Sequence, residues 1–361
     1  PVTGSDRYEG RQIFMKRAAF ALPGDIETLT GGYIYDRHLV DGLRGRGWDV
    51  EVLSFGTSFP NPTAEDQADA SAQLARLPGD CPVIIDGLAF GAMDPNDVSA
   101  VKAPIIAMVH HPLAFENGIS EDDSALLFES ERANLGQAAH VIVPSPHTSQ
   151  MLQQRYDVSA AQITVARPGT IRPTSFPAPQ DPPLLLSVGI QVPRKGHDVL
   201  LRALAHILDL PWTAAIVGGV HDTAHGAHLA ELLIELGLPA RVEMPGRVPH
   251  EALSRYYAQA SVFALATRYE GYGIVFDEAT VHGLPIVSCR VGAVPGTVAP
   301  DAGLLVPPDD PVSFADALRR VLVDSALRQG MAAAASNAAH GLSTWQRTAE
   351  IVEQVLAGMR P

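Results

Sequence analysis

Ser261 to Cys289 constrains the possible folds of this chain more than any other stretch. It reads as an apolar strand, a polar turn rich in glycine, a short helix stopped by Gly283, and a second apolar strand from Pro285. That is a βαβ unit. The same rhythm recurs on both sides of it. Strands are predicted at Ala18–Leu22, Asp49–Ser54, Pro82–Asp86, Pro104–Val109, His140–Pro144 and Ile163–Ala166, with helices between them. One of these, about Tyr33–Arg46, puts Ile34, Leu39, Val40 and Leu43 on one side. Others are expected over Ala64–Leu77, up to Leu135, and from the Ser145 cap to Tyr156.

The rhythm then breaks. Pro168, Pro173, Pro177, Pro179, Pro182 and Pro183 fall in a stretch without apolar period, the composition of a stiff linker. It restarts with strands at Leu184–Val188, Thr213–Val217, Arg241–Met244 and Gly303–Val306. Helices are expected at Asp198–Ile207, Ala227–Leu236, His250–Ala258 and Pro311–Val323, the last capped by Asp310. Two more helices follow, the final one from about Thr344 to Met359. Such alternation implies α/β architecture: two doubly wound, Rossmann-like domains with mainly parallel sheets. We expect an N-terminal domain over 15–167, a linker over 168–183, a second domain over 184–342 and a C-terminal helix within 343–361. Pro1 to Phe14 has no apolar period, and we expect it to be an expression remnant ahead of a natural start at Met15. The cleft between the domains is the expected ligand site.

Composition excludes several function classes. The formal net charge of −14 argues against an extended nucleic-acid footprint. It also limits membrane contact to a peripheral one, with the helix carrying Arg37, Arg44 and Arg46 as the one candidate basic patch. No apolar run reaches the roughly 18 residues of a membrane span. Cys81 and Cys289, in separate apolar strands, read as reduced, buried thiols of a cytoplasmic protein.

The chemistry should lie at strand ends. Glu270, Gly271 and Gly273 occupy the turn of the opening unit and Glu278 its helix, at the carboxyl end of a parallel strand where open sheets bind ligands. Ionised carboxylates accept hydrogen bonds, so hydroxyl-rich ligands suit them, while a helix start suits a phosphate. Gly31-Gly32 lies in the first strand-to-helix turn and fits either a phosphate approach or plain turn geometry. It is not the dinucleotide fingerprint, which disfavours a nicotinamide oxidoreductase. Arg194-Lys195-Gly196 fills the equivalent turn of the second domain. It suits a diphosphate or a solvated pair. His110-His111 ends a strand facing the cleft, and either histidine could meet a substrate or be structural. No metal site is expected, because adjacent histidines diverge and no third ligand is evident. Asp122-Asp123 reads as a solvated turn and Asp309-Asp310 as a helix cap.

In this order and spacing, these residues resemble the retaining glycosyltransferases of family 4, which have the GT-B fold. The resemblance covers nearly everything after Met15. It rests on Gly31-Gly32, Pro193-Arg194-Lys195-Gly196-His197, Arg247 in Pro-Gly-Arg-Val, and above all Tyr269-Glu270-Gly271-Tyr272-Gly273 through Glu278-Ala279, an E-x7-E motif. It implies a nucleoside-diphosphate sugar as co-substrate, no cofactor, and a final helix, bearing Trp345, that crosses back to the first domain. Lys195 and Arg194 would neutralise the diphosphate, with Gly31 and Gly32 closing on it. Glu278 would take ribose hydroxyls, Glu270 with the backbone of Gly271, Tyr272 and Gly273 the transferred sugar, and Arg247-Val248 the base. His110, Lys195 and Glu270 form the implied catalytic set. His111, the alternative histidine, and Glu116 face an acceptor that is a carbohydrate, lipid or small molecule. The chain departs from the family pattern at Ile190, where many members have arginine, and at Pro295-Gly296, where many have Pro-Glu. The implied reaction retains anomeric configuration and is independent of metal. A GT-B-like sugar-nucleotide epimerase and a non-catalytic sugar-nucleotide-binding protein are the rivals.

Overall fold

The protein is known here from a computed structural model describing residues 16–116, 119–173 and 180–359. The expected leader, Pro1–Phe14 with Met15, lies outside the described residues, as do Pro177 and Pro179 of the linker. Strands β1 (Lys16–Pro23), β2 (Trp48–Phe55), β3 (Val83–Asp86), β4 (Ile105–Met108), β5 (His140–Val143) and β6 (Ile163–Val165) form one parallel sheet in the order β2-β1-β3-β4-β5-β6. Strands β7 (Leu184–Val188), β8 (Thr213–Val217), β9 (Val242–Gly246), β10 (Val262–Leu265), β11 (Ile286–Cys289) and β12 (Gly303–Val306) form a second, ordered β12-β11-β10-β7-β8-β9. Strand order reverses between β1 and β3 in one sheet and between β7 and β10 in the other, leaving a crevice at each switch point.

Burial explains why these short segments are strands. Along β1, Ala18, Phe20 and Leu22 point into one apolar cluster, and Ala19 and Ala21 into another on the opposite face. A strand buried on both faces carries no polar alternation. Helix Gly31–Gly45 covers the first cluster with Leu39, Val40 and Leu43, and helix Trp345–Gly358 joins it through Ala349, Val352 and Leu356. The final helix thus lies on the first sheet, as the resemblance implies. Glu353 fastens it, taking hydrogen bonds from Lys16 Nζ at 2.7 Å, Arg46 Nε at 2.5 Å and Trp48 Nε1 at 3.1 Å.

Several expectations need correcting. The first helix begins at Gly31, not Tyr33, so both glycines belong to its opening turn. Helix Thr223–Glu235 starts four residues before Ala227, because the Asp222 carboxylate accepts from the His225 N–H. Asp122 and Asp123 are not a turn: they sit in the first turn of helix Glu121–Leu135, capped by Ser120, where negative charge meets the positive helix end. The basic patch does not form either. Arg37 pairs with Glu27, Arg46 with Glu350 and Glu353, and Arg44 donates to the Val50 carbonyl. Cys81 is buried but just precedes β3. Among the described residues no helix is long and apolar enough to cross a membrane.

Candidate functional site

The carboxyl ends of both sheets face one cleft of about 320 Å³, within the usual size of a small-molecule site. Its lining includes Gly31, Gly32, His110, His111, Arg194, Lys195, Arg247, Val248, Glu270, Gly271, Tyr272, Gly273 and Glu278. Glu116 does not line it but is bonded to two residues that do. Ile190 also lines it; Pro295 and Gly296 do not appear there.

The second sheet supplies charge at its switch point. The loop after β7 folds through Pro193–Lys195 into Gly196, whose φ is 63°. A Cβ there would lie 1.9 Å from the Ala266 carbonyl oxygen, so only glycine lets this loop pack against the end of β10. That contact sets Lys195 beside Glu270. Lys195 Nζ is 2.6 Å from Glu270 Oε1, and Thr267 Oγ1 donates to the same oxygen at 3.0 Å. Arg194 NH1 stands 3.7 Å from Glu270 Oε2 and donates to the Tyr269 carbonyl at 3.1 Å. Burial alone would raise the Glu270 carboxyl, but the two cations outweigh it and hold it below the usual range. For Lys195 burial prevails over Glu270, and its pKa is lowered.

One helical turn on, Glu278 accepts a hydrogen bond from Tyr257 Oη at 2.7 Å. Burial pushes its pKa up against that bond. Helix Ile274–Val281 therefore presents one carboxylate already partnered on a single side, with lone pairs left for a ligand hydroxyl. Tyr272 turns away from ligand duty: its hydroxyl donates to the buried Asp277, a group raised by burial to about 7.

The first sheet supplies a different arrangement: where the sequence made no third metal ligand evident, two carboxylates stand beside His110. His110 Nε2 lies 2.9 Å from Asp36 Oδ1 and 3.5 Å from Asp86 Oδ2. Asp36 and Asp86 are 1% and 2% exposed. Burial and then the Asp36 charge push Asp86 up to about 7, while Asp36, opposing burial, raises His110. One ligand atom from each lies within 4.8 Å of the others, a geometry that could hold a cation. A protonated Asp86 and a charged imidazole account for the same contacts without one. Sequence reading missed both aspartates. Asp36 stands three and four residues before Leu39 and Val40, on the apolar stripe of its helix, and Asp86 ends an otherwise wholly apolar strand. A carboxylate on a buried stripe is the signal that would have found them.

His111 diverges from His110, as expected of neighbours, and pairs with Glu116 Oε2 at 2.7 Å. Glu116 Oε1 also takes a hydrogen bond from Arg194 Nε at 3.0 Å, so this contact bridges the two walls. A second bridge joins Thr148 Oγ1 to the Gly271 carbonyl at 3.2 Å. At Gly271 the walls touch, since a Cβ would fall 2.2 Å from the His110 carbonyl oxygen. Across the cleft, helix Gly31–Gly45 has no side-chain cap at Thr30. Its first N–H groups have no intrahelical partner, which leaves an anion-attracting helix end.

A sequence profile described as glycosyl transferases group 1 matches residues 171–338. A Corynebacterium jeikeium (strain K411) protein named D-inositol 3-phosphate glycosyltransferase is 30% identical over 285 residues, which is 72% of this chain and 68% of that one. Against four further curated relatives of the same name, 30–34% identical, the chain spans only 52–64% of their length. Two solved structures share the architecture. A sucrose-phosphate synthase from Thermosynechococcus elongatus superposes with a TM-score of 0.77 at 24% identity, covering 95% of this chain and 99% of that one. Anabaena HepE in complex with UDP-glucose gives 0.73 at 16% identity, covering 94% and 99%. At these identities the structural likeness is one of fold.

Proposed function

This chain belongs to the group 1 glycosyl transferases, glycosyltransferase family 4 with the GT-B fold, and on that premise we propose that it moves a sugar from a nucleoside-diphosphate donor to an acceptor hydroxyl. The observation that carries this reading is the switch point of the second sheet. There Lys195 and Arg194 stand beside Glu270, with Glu278 one turn further and the uncapped Gly31–Gly45 helix opposite. Two cations and a helix end fit a diphosphate. Glu278 takes the ribose hydroxyls through the lone pairs Tyr257 leaves free. Arg247 and Val248 meet the base, while Glu270 and the turn Gly271–Gly273 hold the transferred sugar.

In this reading the reaction retains configuration and needs no metal ion. As the bond from the sugar to the diphosphate lengthens, Lys195 and Arg194 stabilise the negative charge gathering on the leaving oxygen. Glu270 matters twice, since it neutralises the cations at rest and releases Lys195 when the donor enters. His110, steadied by Asp36 and Asp86, borders the pocket where the sugar would lie. The cytoplasm is the proposed location, with membrane contact at most peripheral. Relatives named for inositol 3-phosphate put a phosphorylated polyol first among acceptors to try.

The test pairs binding with product analysis. UDP-, GDP- and ADP-sugars are screened by thermal shift, because a ligand of the native state raises its melting temperature. The active donor should then release nucleoside diphosphate in step with a glycosylated product. Conversion of the bound donor to its epimer without such release would overturn the reading in favour of an epimerase. Binding without turnover on any acceptor would favour a non-catalytic binder.

A further inference from the structure

One face of helix Gly31–Gly45 clasps His110. Gly32, Tyr35 and Asp36 fall at i, i+3 and i+4 of that helix, so all three look the same way. A Cβ at Gly32 would lie 3.2 Å from His110 Cδ2, and glycine there leaves the imidazole its space. Tyr35 meets the same ring edge to face, with centroids 5.2 Å apart and planes at 76°. Asp36 Oδ1 stands 2.9 Å from its Nε2. Among the described residues no group bonds Nδ1, which leaves that nitrogen open to a ligand in the cleft that His110 lines.

Tyr35 is itself held from behind. It is buried, and its hydroxyl donates to the Ala166 carbonyl at 2.8 Å. Its ring meets Trp345 edge to face at 5.6 Å, and Trp345 stacks on His38, one turn along, at 4.4 Å. Trp345 does not line the cleft. It opens the final helix where the chain's two crossings between the sheets are tied together. Thr170 donates to the Ser343 carbonyl from its N–H at 3.0 Å and its hydroxyl at 3.1 Å, and Thr348 Oγ1 donates to the Arg167 carbonyl at 2.6 Å. A Cβ at Gly169 would fall 2.0 Å from the Trp345 nitrogen, so the two backbones touch there.

We propose that Trp345, acting through Tyr35, is a positioning residue for His110, so that the return of the chain to the first sheet sets the imidazole that meets the bound sugar. The kinetic consequence rests on the glycosyltransferase reading, while the ring geometry does not. The bond to Asp36 fixes one nitrogen and leaves the plane of the ring to be set by its neighbours. Edge-to-face contact supplies that direction as well as buried area. Removing the indole opens a gap behind Tyr35 into which first its ring and then the imidazole can relax.

The first arm of the test needs no substrate. In the full chain labelled with 15N-histidine, the ring N–H of His110 is identified by its loss in His110→Gln. A sharp, slowly exchanging signal is expected in the parent, in Trp345→Phe and in Tyr35→Phe, and a broadened or lost one in Trp345→Leu and Tyr35→Leu. Absence from the parent, or persistence in either leucine variant, would overturn the proposal. The second arm measures turnover with the donor found by thermal shift. Trp345→Leu should lower kcat by about tenfold with donor KM little changed, and cost nothing further in a His110→Ala background. Val352→Ala, a cut in the same apolar cluster and the same helix, should lower the melting temperature by a comparable amount and leave kcat alone. Equal losses from Trp345→Leu with and without His110, or an equal kcat loss in Val352→Ala, would reduce the effect to packing and sink the proposal. Should no nucleoside-diphosphate sugar raise the melting temperature, the glycosyltransferase reading fails, and the first arm still decides the positioning.

Discussion

The two walls of the cleft are both parallel six-stranded sheets whose order switches beside their first strand, β1 or β7, and they use charge in opposite ways. On the second sheet, Lys195 and Arg194 meet Glu270 at the open switch point, where a ligand can compete for the cations. On the first sheet, Asp36 and Asp86 are sealed under His110, where a ligand can meet only the imidazole. One wall keeps its ion pair exchangeable and the other keeps its charges internal. The comparison teaches that a switch point beside the first strand fixes where a site lies, even in sheets of different strand order, and the residues at the strand ends decide how that site uses charge.

The largest blow to this contrast should come from Lys195→Ala. Losing a buried cation aimed at the leaving group should lower kcat by about 10²–10³-fold, measured by nucleoside diphosphate release at saturating donor. The melting temperature should change far less, since the lysine stores charge for the ligand more than for the fold. Full turnover in this variant would erase the distinction between the walls.

A smaller effect probes the acidic side. Glu131 lies buried beneath the loop after β4, accepting from the Leu113 N–H at 3.2 Å, and burial lifts its carboxyl to about 8. Its folded value exceeds its unfolded one, so the folded chain binds the extra proton. The stability this confers is present in acid and is lost as pH rises towards and through about 8. Asp86 and Asp277, both lifted to about 7, add the same trend at slightly lower pH. Glu131→Gln keeps a carbonyl acceptor and has no proton to lose. It should therefore be more stable than the parent at pH 9, by on the order of 1–3 kcal/mol, and closer to it at pH 6. Denaturant melts at the two pH values decide this; a parallel offset at both would show that Glu131 is ionised throughout.

The smallest effect belongs to the triad. Asp36 is what raises His110 against burial, so Asp36→Asn should move any His110-dependent limb of the kcat/KM profile to lower pH. The change at neutral pH should be under about tenfold. A limb that stays in place would mean that the imidazole's charge plays no part in turnover, and that the first wall is structural.

How much of this was legible beforehand follows from range. Helix and strand positions were, because β1 is an unbroken apolar run and helix Pro311–Val323 announces itself through Asp310 and a first-turn proline. The E-x7-E spacing also placed Glu270 and Glu278 on one turn and helix. The partners of His110 were not legible in the same way: Asp36 and Asp86 sit 74 and 24 residues away, and only the sheet order β1-β3-β4 brings them together. The bridge from Glu116 to Arg194 spans 78 residues and both walls. No local period records such a contact. The start of helix Gly31–Gly45 was missed by two residues because glycine is a poor helix former, although the end of a helix in a ligand cleft is where that weakness is tolerated.

The final helix carries a consequence for the order of assembly. Ala349, Val352 and Leu356 complete the cluster that Leu22, Leu39 and Ile84 begin, and Glu353 ties Lys16 to Trp48. During synthesis the first sheet must therefore wait, one apolar face incomplete, while almost two hundred further residues are made. The second sheet closes its own cores with no such delay. A nascent chain would then hold a finished second half before its first half is sealed, which reverses the usual N-terminal-first order of domain folding.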